Sequence, residues 1–214
     1  RAGYTLNVGT ENVLAGYRAG VSLTDGSYNV IAGYNALVTS EDSIYNVIIG
    51  HQAFLNSTGL NRTVGIGGDV GYTAFNLTDC TFVGFSAGKL NFGCDANTYL
   101  GAWAGGATST PHNYAVGVGF YAGVVNRASG TVAIGSRALF SNTTGSGNTS
   151  VGFESLYTNS TGSSNTTVGY QALRTIGTNS QCTAVGREAL YNNTSAGNTA
   201  LGYRAGYTNA GGSN

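Results

Sequence analysis

Apolar and polar positions alternate along this chain in short bursts that return about every 17 residues. In "NTTVGYQAL", from Asn165 to Leu173, Thr166 and Val168 stand two apart and a glycine follows; variants begin at Asn148 ("NTSVGFESL"), Asn198 ("NTALGYRAG") and Tyr28 ("YNVIAGYNAL"). Taking the glycine as anchor gives Gly16, Gly33, Gly50, Gly67, Gly84, Gly101, Gly119, Gly135, Gly152, Gly169, Gly186 and Gly202. Eight of the eleven intervals match that from Gly16 to Gly33, and the other three differ from it by a single position. Such constancy is the signature of a repeat architecture, in which each sequence column becomes a ladder of stacked residues.

One place before the anchor the residue is always aliphatic, from Ala15 and Ala32 through Ile49, Ile66 and Leu100 to Val168 and Leu201. Three places before it Val or Thr predominates, as at Val13, Val30, Thr149 and Thr166. Two-residue spacing is strand spacing, so each unit opens with a short strand that shows these two columns on one face. Three places after the anchor, alanine fills ten of twelve units, with Val70 and Ser155 the exceptions, which implies close approach of another backbone. The column after that is Leu, Phe or Gly. Aromatic residues follow the anchor directly in seven units, Tyr17 to Tyr203, and read as a structural ladder. The next column (Arg18, Asn35, Gln52, Arg137, Glu154, Gln171, Glu188, Arg204) is mostly polar and marks the outward face. Connectors such as "YTNSTGSSN" are built of turn formers. Each unit therefore reads as strand, glycine bend, second short strand and turn: one coil of an all-β solenoid of about twelve coils over residues 1–214.

So short a coil buries little apolar surface by itself. In several units the middle residue of the opening strand is apolar as well (Leu14, Ile31, Ile48, Phe82, Tyr99), so both faces of the strand need cover, and a neighbouring copy of the chain supplies it. Ser150 and Thr167 occupy that column later, where the need is smaller. The chain begins and ends in mid-unit, "RAGYT" matching the second half of "GYRAGYT", which predicts a segment of a longer protein.

Composition narrows the function classes. Only 8% of residues are charged, with 35 glycines, one proline and no methionine, leaving little from which to build long amphipathic helices. Zero net charge and the lack of a basic run argue against nucleic acid and anionic membranes as partners, and no apolar run is long enough to insert in a bilayer. The three cysteines show no metal or redox spacing. Cys80 and Cys182 share a column six repeats apart, about 29 Å at strand spacing and too far to bridge. Cys80 with Cys94 is the one possible internal pair; free buried thiols are the plainer reading.

"GVGFYA" (Gly117 to Ala122) satisfies a dinucleotide fingerprint, but it sits in repeat register with no helix to follow. Nine Asn-x-Ser/Thr sequons (Asn56, Asn61, Asn76, Asn142, Asn148, Asn159, Asn165, Asn192, Asn193) arise from the turn vocabulary. His51 and His112 stand about four units apart, and Asp25 and Asp42 lack a calcium-loop pattern, so no metal, cofactor or catalytic residue is assigned.

"TVAIGSRAL" (Thr131 to Leu139) resembles the head repeat of trimeric autotransporter adhesins of the YadA type, and "NTTVGYQAL" and "NTALGYRAG" resemble related repeats in fibres of phages, large viruses and predatory bacteria. The resemblance spans all twelve anchors, with units slightly longer than the usual head repeat. It implies a left-handed parallel β-roll assembled as an elongated homotrimer. It also implies display on a cell surface, outer membrane or virion tail fibre, and binding to a glycan or protein receptor. Carried over to this chain, it makes the aliphatic column ending at Val168 core, Gly169 the bend and Ala172 the tight contact. The fit is poorest between Leu60 and Ser129, where "VGIGGDVG" replaces aromatic and alanine columns and "TSTPHNY" forms a longer connector. Departures from a uniform scaffold are where contacts are grafted, so Trp103, His112, Asn113 and Tyr114 are the candidate ligand contacts. The expected function is attachment without catalysis. The alternative, a monomeric ice-binding solenoid, needs rows of threonine on a flat face, whereas the threonines here are expected in turns and in the core-facing column. A polysaccharide-cleaving β-helix would need acidic and basic residues along one groove, and these acids are scattered around a single lysine.

Overall fold

A computed structural model describes residues 2, 9–107, 110–209 and 211. These are all-β, with no helix among them, and divide into two compact units, Arg1–Asn113 and Tyr114–Asn214. The first carries β1 (Val13–Ala15), β2 (Val30–Ala32), β3 (Val47–Ile49), β4 (Thr58–Asn61), β5 (Val64–Ile66), β6 (Thr73–Thr78), β7 (Thr81–Val83), β8 (Leu90–Phe92) and β9 (Thr98–Leu100). The opening strands β1, β2, β3, β5, β7 and β9 stack in parallel with strictly equivalent residues paired, Val13 on Val30 and Ile48 on Gly65. A second parallel ladder, β4, β6 and β8, forms a further wall. The second unit carries β10 (Val116–Val118), β11 (Val132–Ile134), β12 (Thr149–Val151), β13 (Thr166–Val168), β14 (Thr183–Val185), β15 (Asn192–Asn193), β16 (Thr199–Leu201) and β17 (Thr208–Asn209). Its opening strands pair in parallel in the same way, β10 to β14 and then β16. Each unit is thus a parallel β-solenoid whose coils have the length that the period predicts.

The bends come from left-handed backbone placed at fixed points of the repeat. Besides the anchor glycines, the residues two places after the anchor (Arg18 to Arg204), four places after it (Leu37, Phe54, Leu139 and their equivalents) and five places before it (Tyr28, Tyr45, Ser164, Gln181) all have positive φ. Only glycine adopts the anchor's own conformation readily: Gly169 has φ +139°, and a Cβ there would lie 2.5 Å from the carbonyl oxygen of Gly186 in the next coil. Successive coils therefore pack backbone on backbone, held by rungs such as Gly186 N–H to Val168 O at 2.8 Å.

The strand faces are opposite to the expectation. The middle column points inward, with Ile31, Ile48, Phe82, Tyr99, Ser150 and Thr167 buried. The flanking columns point outward: Val13 is 60% exposed, Val168 40% and Leu201 79%, so the aliphatic column is not core. The threonines at Thr149, Thr166, Thr183 and Thr199 share this outward face rather than facing the core. Alternation alone left the choice open, because both faces carry apolar residues. The coil interior decides it by volume. Where the middle residue is aromatic, the fourth column is glycine: a Cβ on Gly88 or Gly105 would run into the ring of Phe82 or Tyr99. Where the middle residue is small (Ala133, Ser150, Thr167, Ala184), the fourth column is Leu139, Leu156, Leu173 or Leu190, all buried. At Gly65 the space is filled by Phe54 of the preceding coil. The two columns thus share the interior volume in these coils, whereas Ile31 with Leu37 and Ile48 with Phe54 bury two large side chains per coil. The alanine column, including Ala172, is buried as expected.

Buried asparagines finish the interior. Asn29 Oδ1 accepts the backbone N–H and side-chain amide of Asn46, both at 3.0 Å, while its own amide donates to Ser43 O at 2.7 Å. In the second unit Asn148 Oδ1 accepts from Asn165 N–H, and Asn165 Oδ1 from Cys182 N–H, each at 2.9 Å. These residues read in the sequence as turn formers; instead they satisfy backbone groups that the narrow coil hides from water. Cys80 and Cys182 stand in this column and substitute for asparagine: the Cys80 thiol donates to Cys94 O and its sulfur accepts the Asn97 N–H. All three cysteines are free and buried. A second ladder links Asn126, Asn142 and Asn159 at 2.7 Å per step. Ile176 interrupts it, leaving Asn159 Oδ1 buried without a hydrogen-bond partner among the described residues.

Candidate functional site

The outward strand columns make the most extensive candidate surface. Because every opening strand repeats the same register, the side chains one and three places before the anchor line up on one face in each unit. In the first unit that face carries Val30, Ile49, Ile66 and Leu100, 37–38% exposed, and no column position is charged. In the second unit Ile134, Val168 and Leu201 alternate with the threonine row. Contiguous apolar groups left in water are, in proteins generally, the first place to look for an interaction surface.

Of the four residues nominated around the irregular connector, Trp103, His112 and Asn113 belong to the first unit and Tyr114 to the second. Thr108 and Ser109 of that connector lie outside the described residues. His112 is buried, its ring 2.7 Å from the Tyr99 hydroxyl and its Nδ1 3.0 Å from Thr110 O. Its backbone carbonyl accepts the Asn97 amide at 3.0 Å. Burial holds its pKa below the ordinary histidine value, against a smaller opposing effect of the Thr110 carbonyl. It extends an internal aromatic column of Phe54, Phe82 and Tyr99. Asn113 is half-buried and accepts Asp95 N–H at 2.9 Å. Trp103 is half-buried, edge-on to Phe85 with Lys89 Nζ 5.0 Å from its ring. Tyr114, 68% exposed, opens the second unit.

The aromatic column after the anchor is a ladder, as expected: Tyr17 stacks on Tyr34 at 5.4 Å and Phe153 on Tyr170 at 5.3 Å. The ladder is interrupted at Gly68, Ala102 and Ser136, and Phe85 and Phe120 make edge contacts instead, with Trp103 and Tyr121. In the second unit arginines enter the stacks. The Arg187 guanidinium lies between Tyr170 (5.4 Å) and Tyr203 (5.9 Å), and Arg174 between Tyr157 (4.9 Å) and Tyr191 (5.8 Å). Arg204 lies over Tyr203 and Tyr207. Two glutamates sit beneath them. Glu188, 8% exposed, accepts Arg204 Nε at 2.6 Å and Arg187 Nε at 3.3 Å. Glu154, 9% exposed, accepts Arg174 Nε and Gln171 at 2.9 Å and Arg137 at 3.4 Å. The Arg204 hydrogen bond, with a lesser one from Arg187, holds the Glu188 carboxyl below its ordinary value. At Glu154 burial pushes upward, but the bonds from Arg174, Gln171 and Arg137 together outweigh it. Arg137, Glu154 and Gln171, and likewise Glu188 and Arg204, are thus bonded along the single outward polar column, while Arg174 and Arg187 join them from other columns; period spacing shows the column but not the partners from outside it.

Among the described residues no group of three or more His, Cys, Asp or Glu could hold a metal ion. Of the sequon asparagines, Asn142, Asn148, Asn159, Asn165 and Asn193 are buried in the ladders, whereas Asn56 and Asn76 are exposed. An open recess in the second unit, lined by residues such as Thr175, Asn179, Asn192 and Thr194, carries no charged side chain. No family model matches this chain, and neither a curated protein nor a solved structure is significantly similar to it.

Proposed function

We propose that the chain is a segment of a surface fibre, assembled as a homotrimer of left-handed rolls that carries an attachment surface for a glycan or protein receptor. The observation that carries the reading is the uncharged aliphatic face of the opening strands, repeated coil after coil and left in water by the single chain. Covering Val30, Ile49, Ile66 and their equivalents with the same face of other copies removes it from solvent, at about 25 cal/mol per Å² of apolar area. Attachment without chemistry fits a scaffold whose polar side chains are spent on internal ladders. Light scattering after size exclusion, over a dilution series, tests the assembly: three chains, stable on dilution, is the expected mass, and a monomer at all concentrations refutes it.

One observation favours a second reading. Thr149, Thr166, Thr183 and Thr199 form an outward row at strand spacing beside Val151, Val168 and Val185, the flat threonine face that a monomeric ice-binding solenoid requires. The same mass measurement separates the two, since a trimer covers this row and a monomer leaves it free for a thermal-hysteresis assay.

A further inference from the structure

Charge is segregated between the two units in a way that the neutral whole conceals. The first holds seven carboxylates against three arginines and one lysine, net −3; the second holds five arginines against two glutamates, net +3. In the second unit the two signs also lie at different depths. Glu154 and Glu188 are 9% and 8% exposed, while Arg137, Arg187 and Arg204 are 45%, 61% and 53% exposed. The surface therefore presents guanidinium, with carboxylate recessed behind it.

We propose that this arginine-bearing side of the second unit binds an anionic polysaccharide, its guanidiniums pairing with carboxylate or sulfate groups of the sugar chain. The proposal names a ligand class for the attachment function and rests on that reading. Arg174, Arg187 and Arg204 bond their glutamates through Nε, so the Nη groups at the far end of each guanidinium lie outside these bonds, and a planar fork is suited to an oxyanion. Tyrosine rings on both sides and a carboxylate beneath fix the groups before a ligand arrives, reducing the ordering cost of binding. The clusters around Glu154 and Glu188 are two coils apart, about 10 Å at strand spacing, each with one positive charge in excess. Duplex DNA carries a charge about every 1.7 Å and demands a dense cationic surface. Sparse positive charge repeated along a line instead matches an extended polymer with occasional anions.

The test uses the full 214-residue chain on surfaces of immobilised heparin, hyaluronan and neutral dextran, with duplex DNA as competitor. Binding to heparin, with or without hyaluronan, that weakens as salt is raised is expected; retention on hyaluronan assigns carboxylate, and on heparin alone sulfate. The double variant Arg187→Gln/Arg204→Gln is expected to lose about tenfold in affinity, two exposed ion pairs near the upper end of their usual worth. Arg62→Gln, which breaks a pair with Asp79 in the first unit, is expected to change nothing. Should the double variant fail to fold, Arg137→Gln serves, because Glu154 keeps Arg174 and Gln171. Unchanged affinity in the arginine variants, equal retention on dextran, no binding, or competition by DNA as strong as by heparin overturns the proposal. A trimeric mass without polysaccharide binding refutes this inference alone, whereas a monomeric mass refutes the fibre reading.

Discussion

Replacing Gly169 by alanine tests whether backbone contact between anchor glycines holds the coils together. The new Cβ would lie 2.5 Å from Gly186 O and 2.6 Å from Gly186 C, at φ +139°. Ordinary contact needs about 3.5 Å, so the coils must part by about 1 Å. The rungs Gly186 N–H to Val168 O and Glu188 N–H to Tyr170 O, both 2.8 Å, then pass beyond hydrogen-bonding distance, at about 1 kcal/mol each. The backbone conformation adds about 1–3 kcal/mol for a residue with a side chain, for a total of about 3–5 kcal/mol. Gly202 is the control: φ is +121° but nothing among the described residues lies within 4 Å of its Cβ position, so Gly202→Ala carries only the conformational part. Urea unfolding followed by far-ultraviolet circular dichroism, at one protein concentration, measures the difference, and amide exchange at Gly186 and Glu188 locates it. Equal stability of the two variants would refute steric stacking as the reason for the period.

Asn165→Ala orphans the Cys182 N–H and the Asn179 carbonyl and is expected to cost about 2–5 kcal/mol; since cysteine already fills this column twice, Asn165→Cys should cost less, and the reverse order in urea melts would dismiss the ladder. Ile176→Asn supplies an amide to the unpartnered Asn159 Oδ1, so it is expected to be tolerated better than Leu173→Asn in the same layered core; similar losses of thermal stability would argue otherwise. His112 takes up its proton at lower pH folded than unfolded, so its contribution is complete above the unfolded value of about 6.5 and is lost as pH falls towards the folded one. Melting temperature should decline from about pH 7 to 5, before the glutamates titrate, and His112→Asn should flatten that slope. Burial pushes the Cys80 thiol up to about 12 and the Cys94 thiol upward; neither should react with a thiol reagent at mildly alkaline pH until urea is added, and stoichiometric labelling of the native protein would contradict their packing.

How much of this was legible depended on whether a feature lies within one column or between columns. The recurrence from Gly16 to Gly202 and the strand spacing of Thr166 and Val168 are single-column properties, and they yielded the parallel coil directly. The inward face was not legible: Leu14, Ile31 and Ile48 competed with Val13, Val30 and Val47 on hydrophobicity, and only the fit of Phe82 against Gly88, or Ser150 against Leu156, decides between them. The asparagine column was visible at Asn148, Asn165 and Asn198 but read as a turn former; that it is a buried ladder follows only from the lack of room for water in the coil. His112 looked like a surface contact because its connector is irregular; the irregularity lets it cap an internal aromatic stack.

The sequence by itself determined the period, the all-β class and the parallel register, because stacking identical units forces equivalent residues onto one another. The tertiary structure decided which strand face is dry, which asparagines and cysteines are internal, and that Arg187, Glu188 and Arg204 cluster with Tyr170 and Tyr203. These outcomes depend on volume, burial and distance between columns, quantities that arise only once the coil is closed.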